Sequence, residues 1–266
     1  MKGTMNLHDI LEPIGAELEA FNRYFRGAMR SKVAFVDLIA RYIVRQKGKK
    51  IRPALVLLSA KACGEITDST YRGASLVEIL HTATLIHDDV VDDADTRRGL
   101  ASINAVWKNK IAVLMGDYML AKGLLLSLDN NDFQFLKITS DAVRRMSEAE
   151  ILQIAKSRDL DIDEETYLRI ISDKTASLLS TCCQIGVASV TADPETIRLL
   201  RQFGENIGMV FQIRDDLLDY TGRKSITGKP TGLDMKEKKL TLPLIHSFSK
   251  APRSRARAIL RIIKDG

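Results

Sequence analysis

The chain has 266 residues, 45% of them hydrophobic and 28% charged, with a formal net charge of +6. That balance suits a soluble globular protein with a substantial core, organised as one large domain or two small ones. The modest, dispersed charge gives only a weak hint of anionic partners. Cys63, Cys182 and Cys183 have neither metal-ligand spacing nor the even number of a disulfide framework.

A reduced, cytoplasmic setting is the default for such cysteine usage. Met1–Ala20 is acidic and lacks the apolar centre of a secretory signal. No window holds the ~20 uninterrupted apolar residues of a membrane span; the longest candidate, Ile111–Leu128, is broken by Asp117 and Lys122. At most a peripheral membrane contact is expected, and no nucleic acid.

Helical periodicity dominates, without a convincing strand pattern, so the fold class expected is all-α. Ser31 reads as the cap of a helix to about Gln46, with Phe35, Leu38, Ile39 and Tyr42 on one face. Pro53 fits the first turn of a nearly all-apolar helix through Ala62, and a helix with so little polar surface is central. Asp68 opens a helical stretch that carries Glu78 and His81 and ends in His87-Asp88-Asp89-Val90-Val91-Asp92-Asp93-Ala94-Asp95. Asn104–Leu128 and Asp132–Ser157 read as long helices separated by Asp129-Asn130-Asn131. Asp161 with Glu164 resembles a capping box for a helix reaching Val190. Asp193-Pro194 caps and opens a helix that ends in Phe211-Gln212-Ile213-Arg214-Asp215-Asp216-Leu217-Leu218-Asp219. From Thr221 to Lys239 the pattern turns basic and glycine-rich, as suits a lid over an anion. Arg253–Gly266 reads as a surface helix with basic outer positions.

The chemistry lies in the two acidic stretches. Asp88 and Asp92 are helical neighbours whose like charges repel, and carboxylates grouped without alternating Lys call for a cation. An all-oxygen donor set suits Mg²⁺, although one such cluster alone is equally a solvated helix end. Asp215, Asp216 and Asp219 repeat the same spacing far down the chain. Two matching clusters suggest metal sites on opposite walls of one cavity. Cations mark where an anion would sit: Lys49, Lys50 and Arg52 at a helix entrance, Arg97 and Arg98 after the first cluster, Lys174 within a helix, and Lys229 and Lys239 flanking the loop. Together these describe a pocket for two phosphorylated ligands.

The ordered motifs GKKIRP (48–53), HTATLIHDDVVDDADTRRG (81–99), GDYMLA (116–121), KTA (174–176), FQIRDDLLD (211–219) and GKPTGLDMKEKKLTLPLI (228–245) resemble those of the trans-isoprenyl diphosphate synthases of the polyprenyl synthetase family. The resemblance implies a single-domain helical bundle of the isoprenoid synthase type over residues 1–266, around a deep central cavity. It implies a prenyltransferase that condenses isopentenyl diphosphate with an allylic diphosphate, working as a homodimer. Asp88, Asp89 and Asp92, with Asp215, Asp216 and Asp219, would hold about three Mg²⁺ on the allylic diphosphate. Arg97, Lys174 and Lys239 would contact that diphosphate, with Lys229 and Thr175 nearby. Lys49, Arg52, His81 and Arg98 match positions that bind isopentenyl diphosphate, and Gln212 matches a polar residue beside the reacting carbons.

One turn (~5.4 Å) before Asp88 stand the small residues Ala83 and Thr84, with Leu80 a turn further. Small residues there leave room for a product longer than farnesyl; Met119 or Leu120 would then form the floor. Lys47 and Lys238 depart from the family's usual glycines. Relatives continue through further helices beyond the position of Gly266, so some C-terminal cover is expected to be missing. Two other readings stand beside this one: a partner subunit of a heteromeric synthase, and a metal-dependent phosphohydrolase built on His81 and His87-Asp88.

Overall fold

The computed structural model describes residues 6–46, 48–159, 162–221, 232 and 239–265. Its helices are α1 Leu7–Leu11, α2 Gly15–Ala28, α3 Ala34–Arg45, α4 Ile51–Cys63, α5 Asp68–Val91, α6 Ile103–Leu128, α7 Phe133–Asp159, α8 Glu164–Ile171, α9 Ser177–Ala188, α10 Pro194–Thr221, α11 Leu242–Lys250 and α12 Arg253–Asp265. The all-α expectation holds; among the described residues the only sheet is a hairpin of β1 Thr96–Arg97 and β2 Leu100–Ala101. The chain divides into two compact units, Met1–Thr139 with Thr181–Arg201 and Ser140–Ser180 with Gln202–Gly266.

The first unit is built on α5. Thr67 caps it reciprocally with Thr70, and Ala74, Leu76, Val77 and Ile79 are fully buried. A helix apolar on so many sides must be covered on all of them, and α2, α4 and α6 pack against it. Ile79, Ala83 and Ile86 share a core cluster with Ile39 and Ile43 of α3 and Met115 and Met119 of α6.

Three expectations need correction here. Helix α3 starts at Ala34 rather than after Ser31. Ser31 Oγ instead accepts from Val33 N, and Asp37 Oδ1 accepts from Ser31 N, so the chain turns before it coils. Its buried face runs through Ile39, Ala40 and Ile43, leaving Phe35 and Leu38 exposed, a stripe rotated by about one residue. Helix α6 is interrupted at Lys108, whose backbone (φ 71°, ψ 160°) is not helical.

The hairpin explains the two arginines. Its two-residue loop, Arg98-Gly99, has φ of 52° and 79°, the double positive φ of the turn that matches strand twist. Arg97 and Arg98 are thereby sent to different neighbours.

In the second unit Tyr167 and Ile171 of α8 join Leu240, Leu244 and Ile245 in one core. Asp163, not Asp161, caps α8, accepting from Thr166 N at 2.8 Å; Asp161 lies outside the described residues. The long helix expected to reach Val190 is three pieces, because Ser172–Ala176 is a π-helical turn. Asp193 does cap α10, accepting from Thr196 N at 3.0 Å.

Candidate active site

In the first unit the acidic stretch closes α5. Asp88 and the C-cap Asp92 are exposed, whereas Asp89 is only 2% exposed. Expected among the metal ligands, Asp89 is instead ion-paired with Arg97, whose Nε donates to Oδ1 at 2.7 Å. Asn104 Nδ2 donates to the carbonyls of Asp89 (3.2 Å) and Ala94 (3.1 Å), and Ser102 Oγ donates to the Ala94 carbonyl (2.6 Å). The start of α6 thus holds the turn that carries the acids.

Beside it lies a cavity of about 380 Å³ lined by Lys50, Glu78, Asp89, Arg97 and Arg98 among others. Lys50 takes a left-handed conformation (φ 51°) immediately before α4 and bonds Asn22; it lines the cavity where Lys49 was expected. Arg52 and His81 lie within electrostatic reach of Arg98. Burial, reinforced by Arg52, Arg98 and Arg97, pushes the His81 pKa down to about 2, so the imidazole is neutral. The Arg52 Nε is buried with no hydrogen-bond partner among the described residues. Burial raises the Glu78 pKa while Arg52, Arg98 and Lys50 oppose the rise. This is a strongly cationic pocket with two carboxylates in its wall, the half-buried Glu78 and the buried Asp89. Sequence reasoning passed over Glu78, although its place one turn before His81 was a visible signal.

The residues expected to floor the product pocket separate. Ala83 is fully buried in the core shared with α3 and α6, and Leu80 packs beside Gly123. Thr84 is half-buried, with Oγ1 donating to the His81 carbonyl at 2.8 Å.

The second unit repeats the burial pattern. Asp215 is exposed, Asp219 half-buried and Asp216 buried. Asp216 accepts from Tyr167 OH at 2.7 Å and from Gln212 Nε2 at 2.7 Å, and Gln212 Oε1 accepts from Thr175 Oγ1 at 2.8 Å. Burial raises the Asp216 pKa against these two hydrogen bonds. The π-helical turn passes close under α10: a Cβ on Gly208 would stand 2.4 Å from the Ala176 Cα, so only glycine admits this approach.

Lys174 Nζ donates to Gln153 Oε1 at 2.7 Å and pairs with Glu150 at 2.5 Å. Arg145 ties the same turn down through Asp173 (2.7 Å) and Glu205 (2.9 Å). Sequence reasoning missed Tyr167, Arg145, Glu150 and Gln153. The acceptors of Arg145 lie 28 and 60 residues away, and such long-range pairs leave no local pattern. Lys239 is half-buried beside Leu240; Lys47, Lys229 and Lys238 lie outside the described residues.

The donor set fits a hard divalent cation. Asp88 with Asp92, both exposed, and the exposed Asp215 with the half-buried Asp219 are carboxylate pairs one helical turn apart. Among the described residues no three His, Cys, Asp or Glu side chains converge on one point. Such sites suit an ion that keeps several waters and phosphate oxygens as ligands, as Mg²⁺ does.

The comparisons agree with this geometry. The Polyprenyl synthetase family model matches residues 33–266. The chain is 38% identical over 259 residues to an all-trans-nonaprenyl-diphosphate synthase (geranyl-diphosphate specific) of Rhodobacter capsulatus, covering 97% of this chain and 79% of that protein. It is 36% identical over 262 residues to the octaprenyl diphosphate synthase of Escherichia coli K12, covering 98% and 81%. The polyprenyl synthase of Caulobacter crescentus CB15, solved in complex with calcium and isoprenyl diphosphate, superposes with a TM-score of 0.85 at 33% identity, over 100% of this chain and 85% of that one. The chain belongs to the polyprenyl synthetase family and has its all-α isoprenoid synthase fold.

Proposed function

We propose that this chain is a trans-polyprenyl diphosphate synthase, adding isopentenyl units to an allylic diphosphate and making a product longer than farnesyl. The observation that carries this reading is the cationic cavity of Lys50, Arg97 and Arg98 next to an acidic cluster. A second anion site is what condensation of two diphosphates needs and what hydrolysis of one does not. The phosphohydrolase reading loses its ligand as well, because His87 is turned to the Val113 carbonyl and Asp117.

Asp88 and Asp92, with Asp215 and Asp219, would hold about three Mg²⁺. When bound, these ions supply positive charge to the diphosphate oxygens that gain electrons as the allylic C–O bond breaks. Arg97, fixed by Asp89, would supply a stationary cation to a diphosphate at the first unit, and Lys174, fixed by Glu150 and Gln153, would do so at the second. The pocket lined by Lys50 and Arg98, with Arg52 within electrostatic reach, would bind the isopentenyl diphosphate, and neutral His81 can donate a hydrogen bond to it. The C–O electron pair leaves with diphosphate, the isopentenyl π pair forms the new C–C bond, and the proton lost next goes to a diphosphate oxygen. The apolar surroundings keep water from quenching the allylic cation.

A homodimer is supported by α6, which is long and apolar enough to cross a membrane while only 33% of its apolar stretch is buried. Cys63, Cys182 and Cys183 stand as thiols rather than disulfides, which supports a reducing, cytoplasmic setting.

The test is incubation of the purified chain with Mg²⁺, isopentenyl diphosphate and either dimethylallyl, geranyl or farnesyl diphosphate, followed by sizing of the products. Chains longer than fifteen carbons are expected. No product from the chain alone, restored by a partner protein, would assign it as a subunit of a heteromeric synthase instead.

A further inference from the structure

His87 sits between the apolar body of α5 and the first acidic pair, and the reaction described above makes no use of it. Its ring lies across Gly116 of α6. A Cβ at position 116 would stand 2.2 Å from Nε2, 2.5 Å from Cδ2 and 2.9 Å from Cε1, all of them atoms of His87. Nε2 lies 3.3 Å from the Val113 carbonyl and 3.5 Å from Asp117 Oδ1. A carbonyl oxygen can only accept, so the ring carries a proton on Nε2. Glycine at 116 is what allows an imidazole to reach both acceptors at once.

The last turn of a helix is its weakest part, because its carbonyls lack intrahelical donors. Here that turn also carries mutually repelling carboxylates. Asn104 restrains it through the Asp89 carbonyl within the cluster and the Ala94 carbonyl beyond it. His87 is the matching restraint on the near side, and Asp88 and Asp92 lie between the two. We propose that His87, seated on Gly116 and held by Val113 and Asp117, is a positioning residue that sets where Asp88 and Asp92 project toward a divalent cation. The inference rests on the function proposed above and gives a task to the Gly116-Asp117 pair.

The full chain, its His87→Ala and Gly116→Ala variants, and the double variant would be titrated with Mn²⁺ in the presence of inorganic diphosphate. Free Mn²⁺ would be followed by electron paramagnetic resonance, and melting temperatures measured without metal. Because the three atoms nearest a Cβ at 116 all belong to the His87 ring, removing the ring relieves the clash, and the double variant should melt within a few degrees of His87→Ala. Loss of a residue that orients a metal ligand weakens metal binding by about tenfold or more. That loss is expected in His87→Ala and to the same extent in the double variant, a non-additive pair. The inference is overturned if both bind Mn²⁺ within twofold of the unsubstituted chain. It is equally overturned if the melting temperature falls while the folded protein keeps its affinity, since the ring is then structural only. An unsubstituted chain that makes prenyl product but whose variants keep their affinity sinks this inference alone. One that neither binds Mn²⁺ nor makes product sinks the proposed function as well.

Discussion

Within each acidic cluster burial divides the labour. Asp89 and Asp216 face inward and are held by Arg97 and by Tyr167 with Gln212, while Asp88, Asp92 and Asp215 face solvent. Asp88→Asn and Asp215→Asn should therefore lower kcat by ~10²–10³, the usual cost of removing one charge-stabilising group, with little change in melting temperature. Asp216→Leu should do the reverse in part: it strands the Tyr167 hydroxyl and the Gln212 amide, and urea unfolding should show a loss of about 1–3 kcal/mol. His81 gives a pH dependence with a definite sign. Its folded pKa is about 2 against an ordinary 6.5, so the unfolded chain binds a proton that the folded one refuses. Stability from this residue is complete above about pH 6.5 and declines as the pH falls below it. Burial first, and then the charges of Arg52, Arg98 and Arg97, hold it neutral. Melting temperatures measured from pH 7.5 to 4.5 should fall less steeply in His81→Gln than in the parent; parallel curves would show that the histidine is not so held.

At the level of elements, what the sequence made legible was local. The Asp193 cap, the apolar α4, the Asp129–Asn131 turn and the twin acidic spacings depend on neighbours within a helical turn or two, and all were readable. The hairpin at 96–101 was not, because two-residue strands carry no periodicity, although Arg98-Gly99 is a turn pair. The π-helical turn was not, because nothing in Ser172-Asp173-Lys174-Thr175-Ala176 differs in composition from an ordinary helix. The packing of Ala83 was also not readable: counting back from Asp88 finds the turn but not which side of it is buried among α3 and α6. Chain-length control is accordingly expected at Thr84. Thr84→Phe should shorten the products, whereas Ala83→Phe overpacks a sealed core and should cost about 1–3 kcal/mol of stability. Product sizing and denaturant unfolding of the two variants separate them; a shortened product from Ala83→Phe with unchanged stability would restore the original assignment.

At the scale of the molecule, α6 leaves Val106, Val113, Leu114, Leu124, Leu125 and Leu128 exposed. A contiguous apolar face of this kind marks an association surface, and a symmetric pair would bury it against itself. For the homodimer proposed above, Leu114→Glu with Leu125→Glu should give a monomer by light scattering after gel filtration. A parent chain already monomeric at micromolar concentration would exclude the dimer. The acidic and cationic features, by contrast, are complete within their own units: the cavity with Arg97 and Arg98 in the first, the Tyr167–Asp216–Gln212–Thr175 chain in the second.

The wide turn at Ser172–Ala176 solves a problem of angular arithmetic. In a straight rod, eight steps of about 100° would leave Tyr167 and Thr175 about 80° apart. Absorbing one residue in the bulge reduces this to seven steps, about 20°, so Tyr167 reaches Asp216 and Thr175 reaches Gln212, one turn apart on α10. The segment so keeps its alignment with α10 while carrying Lys174, whose ammonium is held by Glu150 and Gln153.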